Sequence, residues 1–79
     1  MEVVYRLLPD GAFICGDRAT GVTVYAYPNS IYARMAKARP ASTAVEMLEC
    51  AVANLPASRH DESDARRWAI LNEAGVVAA

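Results

Sequence analysis

The sequence predicts an α+β fold, in which a three-stranded antiparallel β-meander is followed by two or three α-helices packed on one face of the sheet. Two observations predict it. Residues 1–27 hold short β-branched and aromatic runs separated by turn signals, and the hydrophobic period lengthens to three or four after residue 28. No linker or repeat divides the 79 residues, so residues 1–79 are predicted to form one compact domain.

The meander is predicted from the first 27 residues. Strands are expected over residues 2–8, 13–15 and 21–27, with turn signals at 9–11 and 17–21. Connections this short join antiparallel neighbours.

Alternation along the strands divides their side chains between two faces. The wholly apolar set Val22, Val24 and Ala26 is predicted to face the core. The opposite, half-exposed face is predicted to carry Arg6, Thr23, Tyr25 and Tyr27.

A short helix is predicted after Asn29 or Ser30, which would cap it, and Arg39-Pro40 would end it because the residue before proline avoids the helical region. A competing interpretation places a hairpin turn at Pro28-Asn29 and a fourth strand from Ile31 to Ala36.

Two further helices are predicted. Thr43-Ala44-Val45-Glu46 has the pattern of a capping box that starts the first of them, and Pro56 would stop it. The other would end at about Ala74 with Gly75 as its C-terminal cap, and Trp68 and Leu71 would share one face of it.

Composition restricts the class of protein. The net charge of −1 excludes binding to nucleic acid through overall basicity. No apolar run approaches the roughly 20 residues that span a bilayer, and Met1-Glu2 does not resemble a signal peptide. Cys15 and Cys50 match no zinc or redox spacing and are predicted to be buried, reduced thiols of a cytoplasmic protein.

No residue pattern predicts catalysis or metal binding. A catalytic thiol would have to be Cys15, with His60 as its base and an acid such as Asp61 beside the histidine. His60, however, lies in a polar segment next to acidic residues. The cluster at residues 60–64 lacks the ligand set of a zinc site and the spacing of a calcium loop. We therefore expect a protein that is not an enzyme and that has no cofactor.

Charge is distributed unevenly along the chain. No acid occurs between Asp17 and Glu46, and these 28 positions carry a local charge of +4. From Glu46 to the end of the sequence there are six acidic residues and three arginines. The middle of the chain is therefore basic and its last third acidic.

These features predict a surface for a protein partner, because interface cores are enriched in tyrosine and arginine. An acidic edge formed by Glu62 and Asp64, with Glu46 and Glu49 as further candidates, would suit a basic groove on the partner that normally holds nucleic acid. The alternative is a small nucleic-acid-binding or transcription-regulatory module that combines tyrosines with cations. The candidate partner-binding residues are Arg6, Tyr25, Tyr27, Tyr32, Arg34, Lys37, Arg39, Glu62 and Asp64.

The length, the segment EVVYRLLPDGAFICGDRATGVTVYAY and the acidic last third make the chain similar to small phage and mobile-element proteins, including the anti-CRISPR inhibitors. The resemblance implies a protein of the host bacterial cytoplasm. It would bind a host CRISPR effector complex and block recognition or cleavage of target DNA, often with acidic residues in basic nucleic-acid sites. The basic middle of this chain departs from a wholly acidic DNA mimic.

Overall fold

The computed structural model describes residues 1–54 and 62–78, which form one four-stranded antiparallel sheet and three helices. The elements are β1 (Val3–Leu7), β2 (Phe13–Asp17), β3 (Thr23–Ala26), α1 (Ile31–Ala38), α2 (Pro40–Ala53), α3 (Glu62–Ala74) and β4 (Val76–Val77). The strand order is β3-β2-β1-β4. The α+β class and the antiparallel meander are confirmed, and β4 is a strand that the sequence did not predict. The predicted stop at Pro56 lies outside the described residues.

The strand register decides which side chains share a face. Tyr5 pairs with Cys15, and Cys15 pairs with Val24, so these three point to one side of the sheet. Ile14 pairs with Tyr25 and points to the other side.

Helices cover both faces of the sheet, so the prediction that they pack on one face is wrong. On the first face, Phe13, Cys15 and Ala26 form a cluster with residues of α1 and α2, including Ala33 and Leu48. On the second face, α3 closes a smaller cluster that contains Val4, Ile14 and Leu71, with Trp68 and Tyr25 packed against it. The physical reason is that β2 carries apolar side chains on both sides, Phe13 and Cys15 on one and Ile14 on the other, and every one of its residues is buried.

Gly16 allows α3 to approach the second face. It lies in the middle of the sheet under the indole of Trp68, and a Cβ there would be 2.7 Å from Cη2 of the ring. The Trp68 Nε1–H donates to the C=O of Gly21 at 2.9 Å, and the Arg18 guanidinium lies 5.0 Å from the ring centroid. Trp68 is thus held by packing, a hydrogen bond and a cation–π contact.

The segment between β3 and α1 is a tight turn followed by a capped helix. Ser30 N–H donates to Tyr27 C=O at 3.0 Å, Pro28 follows Tyr27, and Asn29 has a φ of 68°, which is the pattern of a type II turn. The Ser30 side chain then accepts from Ala33 N–H. The predicted helix is confirmed, and the competing fourth strand at residues 31–36 is wrong.

Helix α2 begins earlier than predicted. It starts at Pro40, whose missing N–H costs nothing at the first helical position, so Thr43 lies inside the helix and the capping box is wrong. The Thr43 hydroxyl is buried and has no hydrogen-bond partner among the described residues.

Helix α3 ends at Ala74 as predicted, and the chain then returns to the sheet. Gly75 N–H donates to Leu71 C=O at 2.6 Å, and a Cβ on Gly75 would collide with that carbonyl and with Val4. The close approach brings Val76 and Val77 beside Tyr5 and Val4 of β1. Strand β4 therefore covers the outer edge of β1 and leaves β3 as the longer edge strand.

Asp17 fastens the turn between β2 and β3. Burial raises the pKa of this carboxyl, but the N–H groups of Glu2 and Ala19 and the Thr20 hydroxyl donate to it and together hold its pKa below the usual value. The ionised carboxylate is therefore part of the folded state. In the described part of the chain, no helix is long and apolar enough to cross a membrane.

Candidate protein-binding surface

An apolar groove runs between the outer edge of β3 and helix α2. Its walls come from Val24 and Ala26 of β3, from Met47 and Ala51 of α2, and from Tyr32 of α1. Its volume of about 440 Å³ falls in the range of pockets that take small ligands or anchoring side chains. The groove is on the α2 side of the sheet, because Val24 and Met47 belong to the cluster on that face.

Large apolar side chains are exposed beside this groove. Tyr27 is 73% exposed, Ile31 76% and Tyr32 37%, all within six consecutive residues around the type II turn. Such a concentration of exposed apolar side chains marks a binding surface more often than a chance arrangement. We call residues 27–32 the tyrosine turn.

Tyr25 and Tyr27 meet on the α3 side of the edge. Their rings are in edge-to-face contact, with centroids 5.1 Å apart and an interplanar angle of 85°. Tyr25 is half-buried by α3, and the Arg67 guanidinium lies 5.9 Å from the centroid of its ring. Tyr25 and Tyr27 were predicted to share the half-exposed face of the sheet. Helix α3 covers part of Tyr25, whereas Tyr27 stays accessible.

The main chain of β3 also offers hydrogen-bonding groups at this edge. Asp17 N–H donates to Val22 C=O. By alternation along β3, the main-chain N–H and C=O groups of Val22, Val24 and Ala26 therefore point toward β2. The N–H and C=O groups of the alternate residues Thr23, Tyr25 and Tyr27 therefore point away from the sheet. Neither group of Tyr25 has a partner in residues 1–54 and 62–78.

The predicted cations of α1 are exposed. Arg34 and Lys37 lie on the solvent side of the helix, because Ala33 and Ala36 form its buried side, and Arg39 is exposed at its C-cap. Helix α1 packs on the α2 side of the sheet and Tyr25 packs on the α3 side, so the sheet separates these cations from Tyr25.

Arg6 and Asp64 have structural roles. The Arg6 guanidinium donates to the C=O of Ile70 at 3.0 Å, which ties β1 to α3. The Asp64 carboxylate accepts from both the N–H and the hydroxyl of Thr23, which ties α3 to β3. Asp64 is therefore engaged within the fold, and the side chain of Glu62 lies outside what the structure describes.

The two cysteines differ. Cys15 is fully buried, and burial raises the pKa of its thiol to about 12 even though a backbone hydrogen bond from Val24 opposes this. Cys50 is exposed on α2 at the groove, so the prediction that both are buried is wrong for Cys50. The reason is that the apolar stripe of α2 faces the sheet through Ala44 and Leu48, and Cys50 lies off that stripe.

Sequence reasoning missed the α2 wall of the groove and Arg67. The spacing of Met47 and Ala51 puts them on one side of a helix, and nothing in that spacing shows that this side extends past the edge of the sheet. In the described ranges, no group of three or more His, Cys, Asp or Glu side chains could hold a metal ion. His60 and Asp61 lie outside those ranges.

Comparison with known protein families, characterised proteins and solved structures finds no match to this chain.

Proposed function

We propose that this protein is a non-catalytic protein-binding module and that its binding surface is the groove beside β3 together with the tyrosine turn. The observation that carries the proposal is the exposure of Tyr27 and Tyr32, which line an apolar groove, with Ile31 exposed in the same turn. Tyrosine supplies a large contact area at a small cost in side-chain entropy, and it is enriched among residues that dominate binding energy. The sharper form, inhibition of a host CRISPR effector complex, is a prediction that rests on the sequence resemblance alone.

The proposal is tested with a double variant, Tyr27→Ala with Tyr32→Ala, and a matched control, Val77→Ala. Val77 is 72% exposed on β4, beyond β1 at the other edge of the sheet, and so controls for the loss of exposed apolar area. Each tagged protein is used to capture partners from a bacterial lysate, and the captured proteins are quantified by mass spectrometry. We expect one set of proteins to be lost with the double variant and retained with Val77→Ala.

A hot-spot tyrosine contributes about 2 kcal/mol or more, which corresponds to roughly a 30-fold loss of affinity. Equal capture by the double variant and the wild type would refute the proposal. The CRISPR form is tested by the plating efficiency of a targeted phage on a host with an active CRISPR system. Expression of the wild type should raise plating, and expression of the double variant should not.

The nucleic-acid alternative is tested with labelled single-stranded and duplex DNA in anisotropy titrations at two salt concentrations. Binding that falls steeply with salt and depends on Arg34, Lys37 and Arg39 would favour that function over protein binding.

A further inference from the structure

The free edge of β3 is short because it is closed at both ends. At one end, the Thr23 N–H already donates to the Asp64 carboxylate at 3.0 Å. At the other, the Tyr27 C=O already accepts from Ser30 N–H in the turn that follows the strand. The groups that remain for a partner are the N–H and C=O of Tyr25, the C=O of Thr23 and the N–H of Tyr27. This window accommodates a segment of about three residues.

The closure disfavours pairing between two copies of β3. In a two-fold arrangement centred on Tyr25, Thr23 of one copy would lie opposite Tyr27 of the other. The Tyr27 C=O already accepts from Ser30 N–H and the Thr23 N–H already donates to Asp64, so this pair of residues could form only one of its two hydrogen bonds. Short, blocked edges of this kind are how proteins avoid edge-to-edge association.

Alternation determines where the side chains of an added segment would point. A residue opposite Tyr25 that exchanges both hydrogen bonds with it has its side chain on the same face as Tyr25, which is the α3 side. Its two neighbours point to the other face, beside Val24 and Ala26 and over the groove walled by Met47 and Ala51.

The two faces differ in chemistry. The groove is apolar and suits apolar side chains. On the α3 side, the Arg67 guanidinium stands over the ring of Tyr25, and no carboxylate of the described residues lies within ion-pair distance of it. A carboxylate opposite Tyr25 would therefore lie near the Arg67 guanidinium.

From this geometry we propose that the β3 edge binds a short extended segment of a partner protein, in which one acidic residue is flanked by two apolar residues. The acidic residue pairs with the main chain of Tyr25 and its carboxylate faces Arg67, while the flanking side chains enter the groove. This mode is addition of a strand, with hydrogen bonds for affinity and alternate side chains for specificity. The inference rests on the proposed protein-binding function and names the kind of partner at the same surface.

The test uses the full chain and an acetylated, amidated peptide Gly-Leu-Glu-Leu-Gly, followed by proton–nitrogen NMR correlation spectra. We expect the largest shifts at the amides of Tyr25 and Tyr27 and at Met47 and Ala51. Methylating the nitrogen of the central Glu removes its donor to the Tyr25 C=O and should weaken binding about fivefold or more. Methylating the nitrogen of the Leu that precedes it is the matched control, because that N–H points away from β3.

The role of Arg67 is tested by charge reversal. For the wild type, a peptide with central Lys in place of Glu should bind about two- to fivefold more weakly, and Arg67→Glu should reverse that order. Arg66→Glu, on the exposed side of the same helix, is the matched control and should leave the order unchanged.

The outcomes separate the inference from the proposed function. Absence of peptide shifts at the highest concentration, equal effects of the two methylations, or no preference between Glu and Lys would overturn the inference. So would a dimer in sedimentation analysis that Tyr25→Pro abolishes, since a second copy would then occupy the edge. The proposed function would survive each of these results if the lysate partner were still lost with the tyrosine-turn double variant.

Discussion

Replacing Gly16 by alanine tests whether α3 closes the second face of the sheet. In an ordinary strand this change stabilises, because glycine loses more backbone entropy on folding than alanine does. Gly16 does not have a positive φ, so its backbone can accept alanine. The expected destabilisation therefore comes from the side chains that lie on Gly16, mainly the indole of Trp68 and, at 3.0 Å, Cδ1 of Leu71.

The magnitude follows from the contact distances. The new Cβ would lie 2.7 Å from Cη2 and 2.8 Å from Cζ2 of Trp68, whereas ordinary contact begins at 3.4 Å. The ring must move away by at least 0.7 Å, which is the difference between 2.7 Å and 3.4 Å. This movement weakens the 2.9 Å hydrogen bond from Trp68 to Gly21. Overpacking of this kind costs about 1–3 kcal/mol. In a domain of this size, the Tm should fall by roughly 4–20 °C.

The assay is urea unfolding followed by far-UV circular dichroism, with the fluorescence of Trp68, the single tryptophan of the chain, as a second probe. A double-mutant cycle with Trp68→Phe provides the control, because phenylalanine lacks the outer ring atoms that alanine would touch. We expect a coupling of about 1 kcal/mol between the two positions. A Gly16→Ala protein as stable as the wild type, or a cost that is equal in both backgrounds, would refute the placement of Trp68 on Gly16.

Three further predictions follow from buried groups. Iodoacetamide should modify Cys50 in the native protein and reach Cys15 only after denaturation, and mass spectrometry that finds both modified at one rate would contradict the burial of Cys15. Thr43→Val should raise the free energy of unfolding by about 1 kcal/mol, because it removes a buried hydroxyl that has no described hydrogen-bond partner and keeps the shape of the side chain. A lower urea midpoint for this variant would show that the hydroxyl is hydrogen-bonded. Asp17→Asn should cost about 1–3 kcal/mol at pH 7, and Asp10→Asn, at an exposed turn carboxylate, serves as its control.

The pH dependence of the Asp17 variant has a definite sign. The pKa of Asp17 is lower in the folded state than its ordinary value, so its ionised form stabilises the protein at any pH above the unfolded value of about 3.9. That contribution is lost as the pH falls from there through the folded pKa. The difference in urea midpoint between wild type and Asp17→Asn should therefore shrink between pH 5 and pH 3. A difference that stays constant over this range would show that folding does not lower the pKa of Asp17.

Local rules were sufficient for much of the fold. The turn at residues 9–11, the Ser30 cap of α1 and the end of α3 at Ala74 each depend on a few adjacent residues whose conformational preferences are strong. Alternation also correctly separated Val24 and Ala26 from Tyr25, since side-chain direction in a strand is a local property.

Local rules failed where two local signals competed or where a choice depended on residues far apart in the chain. Thr43-Ala44-Val45-Glu46 satisfies a capping pattern, but α2 had already begun at Pro40, because proline is also favoured at the first position of a helix. The spacing of Trp68 and Leu71 predicted an apolar helix face without showing which side of the sheet it would cover. Only the packing of Trp68 on Gly16 placed α3 on the second face.

The same distinction between local and tertiary information applies to the candidate site. The sequence by itself determined that Tyr25 and Tyr27 share a strand face, that the tyrosine turn contains Pro28 and Asn29, and that the middle of the chain is basic. Only the tertiary structure shows that β3 is an edge strand, because β4 pairs with β1 and no strand of the described residues pairs with the side of β3 away from β2. It also joined Met47 and Ala51 to that edge as a groove and set Arg67 over Tyr25. Alternation and helical period determine which side chains lie on the same face of an element. Which other element packs on that face depends on contacts between distant parts of the chain.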